Sequence, residues 1–193
     1  MSRQKSKTVS VGFLGLLAIA SAVLVFMFAQ TFGVEQTVFI SAVLFLVIGI
    51  MFAWVMVGVQ FNFFDFKNLF NDLFWTALSV GAVFIVNTSV PFRLEAQNPV
   101  GVRLFSVLMG VAEECFFRLW LCNFFFRISR SMVLSIVVSS GIWTIYHIAR
   151  YQGQPSAFFV IFGAGCILGF VMLSSHRADA PIFAHGVVNY IAS

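Results

Sequence analysis

Charge is what this sequence has least of. Eleven lysines and arginines and seven aspartates and glutamates make up 9% of 193 residues, against about 25% in a soluble domain. The chain is 61% hydrophobic and has a mean hydropathy of +1.00. No water-soluble fold of this length could hide so much apolar surface, so that class is excluded and an integral membrane protein remains. Cysteine is scarce too. Cys115, Cys122 and Cys166 form no C-x-x-C pair and lie in apolar runs, where they read as small buried hydrophobes. Cys115 lies beside two carboxylates, but a thiol in apolar surroundings is a poor nucleophile. No soluble domain, internal repeat or low-complexity linker interrupts the chain. The net charge of +4 follows membrane topology and does not suggest nucleic acid. Phenylalanine is in excess, with 26 copies, and suits lipid-facing helix surfaces.

Roughly 20 helical residues cross the hydrocarbon core of a bilayer. Six apolar runs approach or exceed that length: Val9–Gln30, Thr37–Val59, Leu73–Val90, Pro99–Phe126, Ser131–Arg150 and Pro155–Ser175. A seventh, Pro181–Ser193, has 13 residues, about 20 Å of helix, and is too short to cross. The fold class expected is therefore all-α, a polytopic bundle of six spans and a short seventh helix forming one membrane domain over 1–193. The basic lead-in of Arg3, Lys5 and Lys7 resembles a signal peptide, yet the run behind it is too long for a cleaved signal and reads as an anchor. The prolines support the boundaries. Pro91 follows the third run, whereas Pro99, Pro155 and Pro181 each open one, where the missing N–H costs nothing. Asn98 and Asp179 stand near run starts as caps.

Loop charges set the orientation. With the N-terminus in the cytoplasm, the inner loops hold Arg3, Lys5, Lys7, Lys67, Arg127, Arg130 and Arg177, and the outer ones hold Arg93, Arg103 and Arg150. That bias follows the positive-inside tendency and fits a prokaryotic plasma membrane. Asn62 to Asp72 mixes Phe with charge and reads as an interfacial segment. Gly165 and Gly169 form a small-x-x-x-small pair, a signature of close helix packing.

Three charges stand where lipid should be. An ionised side chain at the bilayer centre costs roughly 2.5–3.5 kcal/mol, so Glu113, Glu114 and Arg118 in "VAEECFFRLW" need compensation. Glu114 and Arg118 are i and i+4, share a helix face and form an ion pair. Glu113 points about 100° away. One carboxylate reads as structural and its neighbour as available. The fifth run offers His147, one turn after Trp143. The seventh offers His185 and Asn189, again i and i+4. His176, in the polar loop "SSHRAD", reads as solvated.

Taken singly, each feature has a plain structural explanation: a satisfied core histidine, an interhelical His–Asn hydrogen bond, a packing ion pair. Together they place one Glu, two His and one Asn on three helices, and a shared wet cavity between the fourth, fifth and seventh runs explains that placement. Glu and His can withdraw a proton from water. His and Asn can donate to a developing oxyanion. This is equipment for amide hydrolysis. Glu113, His147 and His185 are also acceptable zinc ligands, and spacing does not decide between the two mechanisms. A proton-coupled transporter using the same groups as a relay is a second reading, though nothing resembles an inverted repeat. A non-catalytic membrane protein, such as a bacteriocin-immunity factor or scaffold, is a third.

The ordered motifs "EECFFR" (Glu113, Glu114, Arg118), "WTIYH" (Trp143, His147) and "HGVVN" (His185, Asn189) resemble those of the CPBP intramembrane proteases. This is the CAAX-protease and bacteriocin-processing family, also called Abi, and it includes the Ras-converting-enzyme type. The resemblance covers 112–190. It implies an all-helical membrane fold and an endopeptidase acting on a membrane-associated protein or peptide. It implies that Glu113 and His147 activate water, that His185 and Asn189 form the oxyanion site, and that Glu114 and Arg118 hold the site in shape. The family is often described as metalloproteases; the reading preferred here needs no cofactor, with zinc on Glu113, His147 and His185 as the other. Trp143 stands where the family usually has Phe, and the sequence ends four residues after Asn189, which suggests a more open cavity or a partner chain. One tension remains: simple topology puts Glu113 near mid-membrane and His147 near the outer end of its helix.

Overall fold

The computed structural model describes residues 40, 42–49, 69–89, 100–148, 151 and 154–192. The first run with its basic lead-in, most of the second run, residues 62–68 of the interfacial segment, Pro91, Asn98, Pro99, Lys67, Arg93 and Arg150 lie outside the described residues. The expected N-terminal orientation and the count of six spans rest largely on them.

The described chain is all-helical, with no strand among these residues. A helical stretch at 42–49 is α1. It is followed by α2 (Leu69–Ser89), α3 (Val100–Glu113), a π-helical segment (Glu114–Cys122), α4 (Asn123–Ser129), α5 (Met132–Tyr146), α6 (Pro155–Ser175) and α7 (Asp179–Ala192). Among these, α2 and α6 are long and apolar enough to cross a membrane. At 21 residues each, they extend about 31 Å, matching a hydrocarbon core of about 30 Å. The apolar α5, with 15 residues, is shorter.

Local chemistry sets the boundaries. Ser131 caps α5 by accepting from the Leu134 N–H at 3.3 Å, which is what a Ser N-cap does for an orphan donor. Pro155 sits in the first turn of α6, as expected. Arg130 and His176 close α4 and α6 in the left-handed region, with φ of 56° and 57°. Asp179 begins α7, accepts from the Ala180 N–H at 3.0 Å, and is gripped by Arg177 at 2.6 and 3.1 Å. The seventh helix therefore starts two residues before the expected Pro181. The third run likewise starts early, at Leu69, so that 69–72 of the expected interfacial segment belong to α2.

The fourth run departs most from a plain helix. α3, the π segment and α4 form one helical rod, and in its middle third the hydrogen bonds close i→i+5 turns. Where the wide turns return to α, carbonyls fall out of register. The Asn123 amide satisfies one, donating to the Leu119 oxygen at 2.9 Å. All nine residues of the segment are buried. Phe116, Phe117 and Trp120 form an aromatic cluster with Phe45 of α1 and Phe124 of α4.

α3 and α2 pack on α7, and α5 packs on α6. The small-residue pair of α6 makes the last contact close. A Cβ on Gly165 would stand 3.0 Å from Ser140 Oγ and 3.0 Å from the Trp143 ring. Absence of a side chain there leaves room for the Trp143 ring, whose face meets Arg118 of the π segment.

Candidate active site

The two acidic residues mark the junction between α3 and the π segment. Glu113 is the last residue of α3 and Glu114 the first of the wide turn. Both are buried, at 5% and 1% exposure. Glu114 does pair with Arg118, with Nη1 3.2 Å from Oε1. Its Oε1 also faces His185 Nδ1 at 2.8 Å, a contact that helix periodicity could not reveal. A carboxylate oxygen accepts, so His185 Nδ1 donates. Arg118 finds no hydrogen-bond acceptor among the described residues. Its guanidinium instead lies 4.0 Å over the Trp143 ring, where the negative face of the indole attracts it.

His147 follows the last residue of α5 in the cap position. The expected run continued to Arg150, whereas the α-helix stops at Tyr146 because its last turn tightens. The His147 N–H bonds the Thr144 oxygen at 3.0 Å rather than that of Trp143. The freed Trp143 carbonyl accepts from His147 Nδ1 at 2.9 Å. A carbonyl only accepts, so Nδ1 carries a proton, and in the neutral ring Nε2 presents its lone pair.

Both Nε2 atoms then converge on one oxygen. Glu113 Oε2 lies 3.8 Å from His147 Nε2 and 3.9 Å from His185 Nε2. The same Oε2 accepts from the Trp143 indole N–H at 2.7 Å. Both imidazoles pack against the indole, with centroids 5.0 and 5.4 Å apart and planes about perpendicular, at 80° and 81°. Residues from the fourth, fifth and seventh runs are thus gathered: Glu113, Glu114, Arg118, Trp143, His147 and His185. The tension between Glu113 and His147 is relieved, since α5 delivers His147 at its tip to the end of α3. Asn189 lies one turn beyond His185, and its amide donates to the Ser106 carbonyl of α3 at 2.9 Å. His176, expected to be solvated, is exposed. Cys115 and Cys122 are buried.

A tetrahedral zinc with bonds of about 2.0–2.1 Å holds its ligand atoms about 3.4 Å apart. Oε2 stands 3.8 and 3.9 Å from the two nitrogens, which is wider. No group of three or more His, Cys, Asp or Glu at metal-binding spacing occurs among the described residues. As they stand, these side chains do not close around zinc.

A helical bundle with a buried acid facing two imidazoles defines the class: a polytopic protein with ionisable groups sequestered among apolar helices. Residues 96–191 match the type II CAAX prenyl endopeptidase Rce1-like family. The chain belongs to that family through its second half, and the matched residues include every motif residue of the site. The family and the two membrane-length helices make it an integral membrane protein. No curated protein and no solved structure matches it.

Proposed function

We propose that the chain is an intramembrane endopeptidase that hydrolyses a peptide bond in a membrane-associated protein or peptide, using water activated by Glu113 and His147. The observation that carries this reading is the approach of both Nε2 atoms to Glu113 Oε2, at 3.8 and 3.9 Å. These gaps are too long for direct hydrogen bonds and suit a water held between acceptors. Such a water donates to Glu113 and to one imidazole while its own lone pair faces a substrate carbonyl.

The water oxygen attacks the carbonyl carbon, and Glu113 takes the proton as general base. His185 and Asn189 serve the oxyanion. For His185 to donate from Nε2, it takes a second proton from solvent as substrate binds and returns it to solvent on product release, and Glu114 at 2.8 Å stabilises the imidazolium in between. Asn189, whose Nδ2 donates to the Ser106 carbonyl at 2.9 Å, is assigned to the oxyanion beside it. The carbon–nitrogen bond then breaks, and the departing amine receives the proton held by Glu113. Trp143 holds Oε2 in place throughout, and Arg118 balances the charge of Glu114.

The test is cleavage of a panel of membrane-anchored peptides by the protein in proteoliposomes. Glu113→Gln keeps size and removes basicity. The expected loss is on the order of 10²–10⁴-fold in kcat, with thermal stability retained. Undiminished cleavage by that variant contradicts the role given to Glu113.

A further inference from the structure

Gly110 stands one turn before the two carboxylates, on the face of α3 that meets α7. Its missing side chain leaves room for two groups of the site. A Cβ there would lie 2.9 Å from Asn189 Nδ2 and 3.3 Å from both Cδ2 and Cγ of the His185 ring. The first is closer than real Cβ contacts come and the second is tighter than most, so both groups would have to move.

We infer that Gly110 is a positioning residue for the reaction, whose lack of a side chain seats the His185 ring and the Asn189 amide against α3. The inference rests on the endopeptidase reading above. Ser106 and Gly110 are i and i+4 on α3, and His185 and Asn189 are i and i+4 on α7, so the two pairs meet along one seam. Asn189 is tied to that seam by its bond to the Ser106 carbonyl at 2.9 Å. His185 is tied by Nδ1 to Glu114 at 2.8 Å, one turn further along the same rod. A methyl at Gly110 enters between these two anchors. The ring and the amide yield, and the backbone does not, because the obstructed atoms are side-chain atoms with rotatable bonds. The bulk fold is spared, and α3 gains the better helix propensity of Ala over Gly. The cost falls on catalytic geometry, where a misplacement of about 1 Å is worth roughly 10²-fold in rate.

Three variants test this in proteoliposomes. Gly110→Ala is expected to lose about 10–100-fold in kcat with KM changed less than about twofold, and with a Tm equal to or above wild type. Gly141→Ala, on α5 with nothing within 4 Å of the added carbon, is the control and keeps wild-type rates. Glu113→Gln reports separately on the endopeptidase reading. Full activity in Gly110→Ala beside an inactive Glu113→Gln overturns this inference alone. A fall in Tm that accounts for the lost activity overturns it as well, since the role would then be structural only. An activity-free measurement stands beside these. In the nitrogen–proton spectrum of the imidazoles, the hydrogen-bonded Nδ1–H of His185 is expected to shift in Gly110→Ala and to stay in place in Gly141→Ala. An unmoved resonance in both contradicts the inference even if no substrate is cleaved.

Discussion

Trp143 is the residue around which the site is assembled. Its indole N–H holds Glu113, its ring face carries Arg118, its carbonyl fixes the His147 ring, and its ring packs perpendicular to that of His185. A phenylalanine keeps the packing and loses the donor. A hydrogen bond to a charged group is worth about 1.5–3 kcal/mol. Trp143→Phe is therefore expected to lower kcat by roughly 10–100-fold and leave KM little changed, measured on any cleaved peptide; equal rates would show that the indole bond does not serve catalysis. Glu114 carries a different burden. Removing one member of a buried ion pair costs about 3–5 kcal/mol, and Arg118 has no other acceptor among the described residues. Glu114→Gln should lower Tm in detergent by several degrees, and a Tm matching wild type contradicts the pairing. The ion pair was legible in the sequence because i and i+4 place two side chains on one helix face. The indole bond was not, since spacing gives the face of a residue and not its rotamer. For the same reason, periodicity along the fourth run could not reveal that Glu114 also holds His185 of another helix.

At the level of elements, the close approach of α5 and α6 decides where Trp143 lies. Gly165→Ala places a carbon 3.0 Å from Ser140 and Trp143, whereas Gly169→Ala meets Ile136 at an ordinary 3.4 Å. Overpacking costs typically about 1–3 kcal/mol. Gly165→Ala is expected to lower both Tm and activity, and Gly169→Ala to do neither; thermal unfolding of the pair checks this, and equal Tm values contradict the packing account. Apolar runs and prolines revealed the helices well, and α6 has the bounds expected from Pro155 and Ser175. The π segment was invisible, because "ECFFRLWLC" reads equally well as α-helix and its wide turns are supported by tertiary partners such as Phe45. The end of α5 at Tyr146 was hidden for a related reason. The residues just beyond it, His147 to Arg150, hold no proline or glycine to end a helix, and the His147 ring bonded to Trp143 marks the stop.

For the molecule as a whole, membrane residence and chemistry follow from the same shortage of charge. So few ionisable groups occur among the described helices that three of them meeting their histidine partners in one place defines a site. The proposed chemistry needs no metal. Dialysis against a chelator, with zinc content measured in the purified protein, should leave the cleavage rate unchanged; loss of activity restored by stoichiometric zinc contradicts the metal-free mechanism. The most direct test of the central claim, that Glu113 and His147 act on one water, is a double-variant cycle in cleavage rate. Groups that act as a unit are strongly non-additive. The prediction is that Glu113→Gln combined with His147→Ala is no slower than the slower single variant. Losses that multiply, each variant exacting its full cost in the presence of the other, would contradict it.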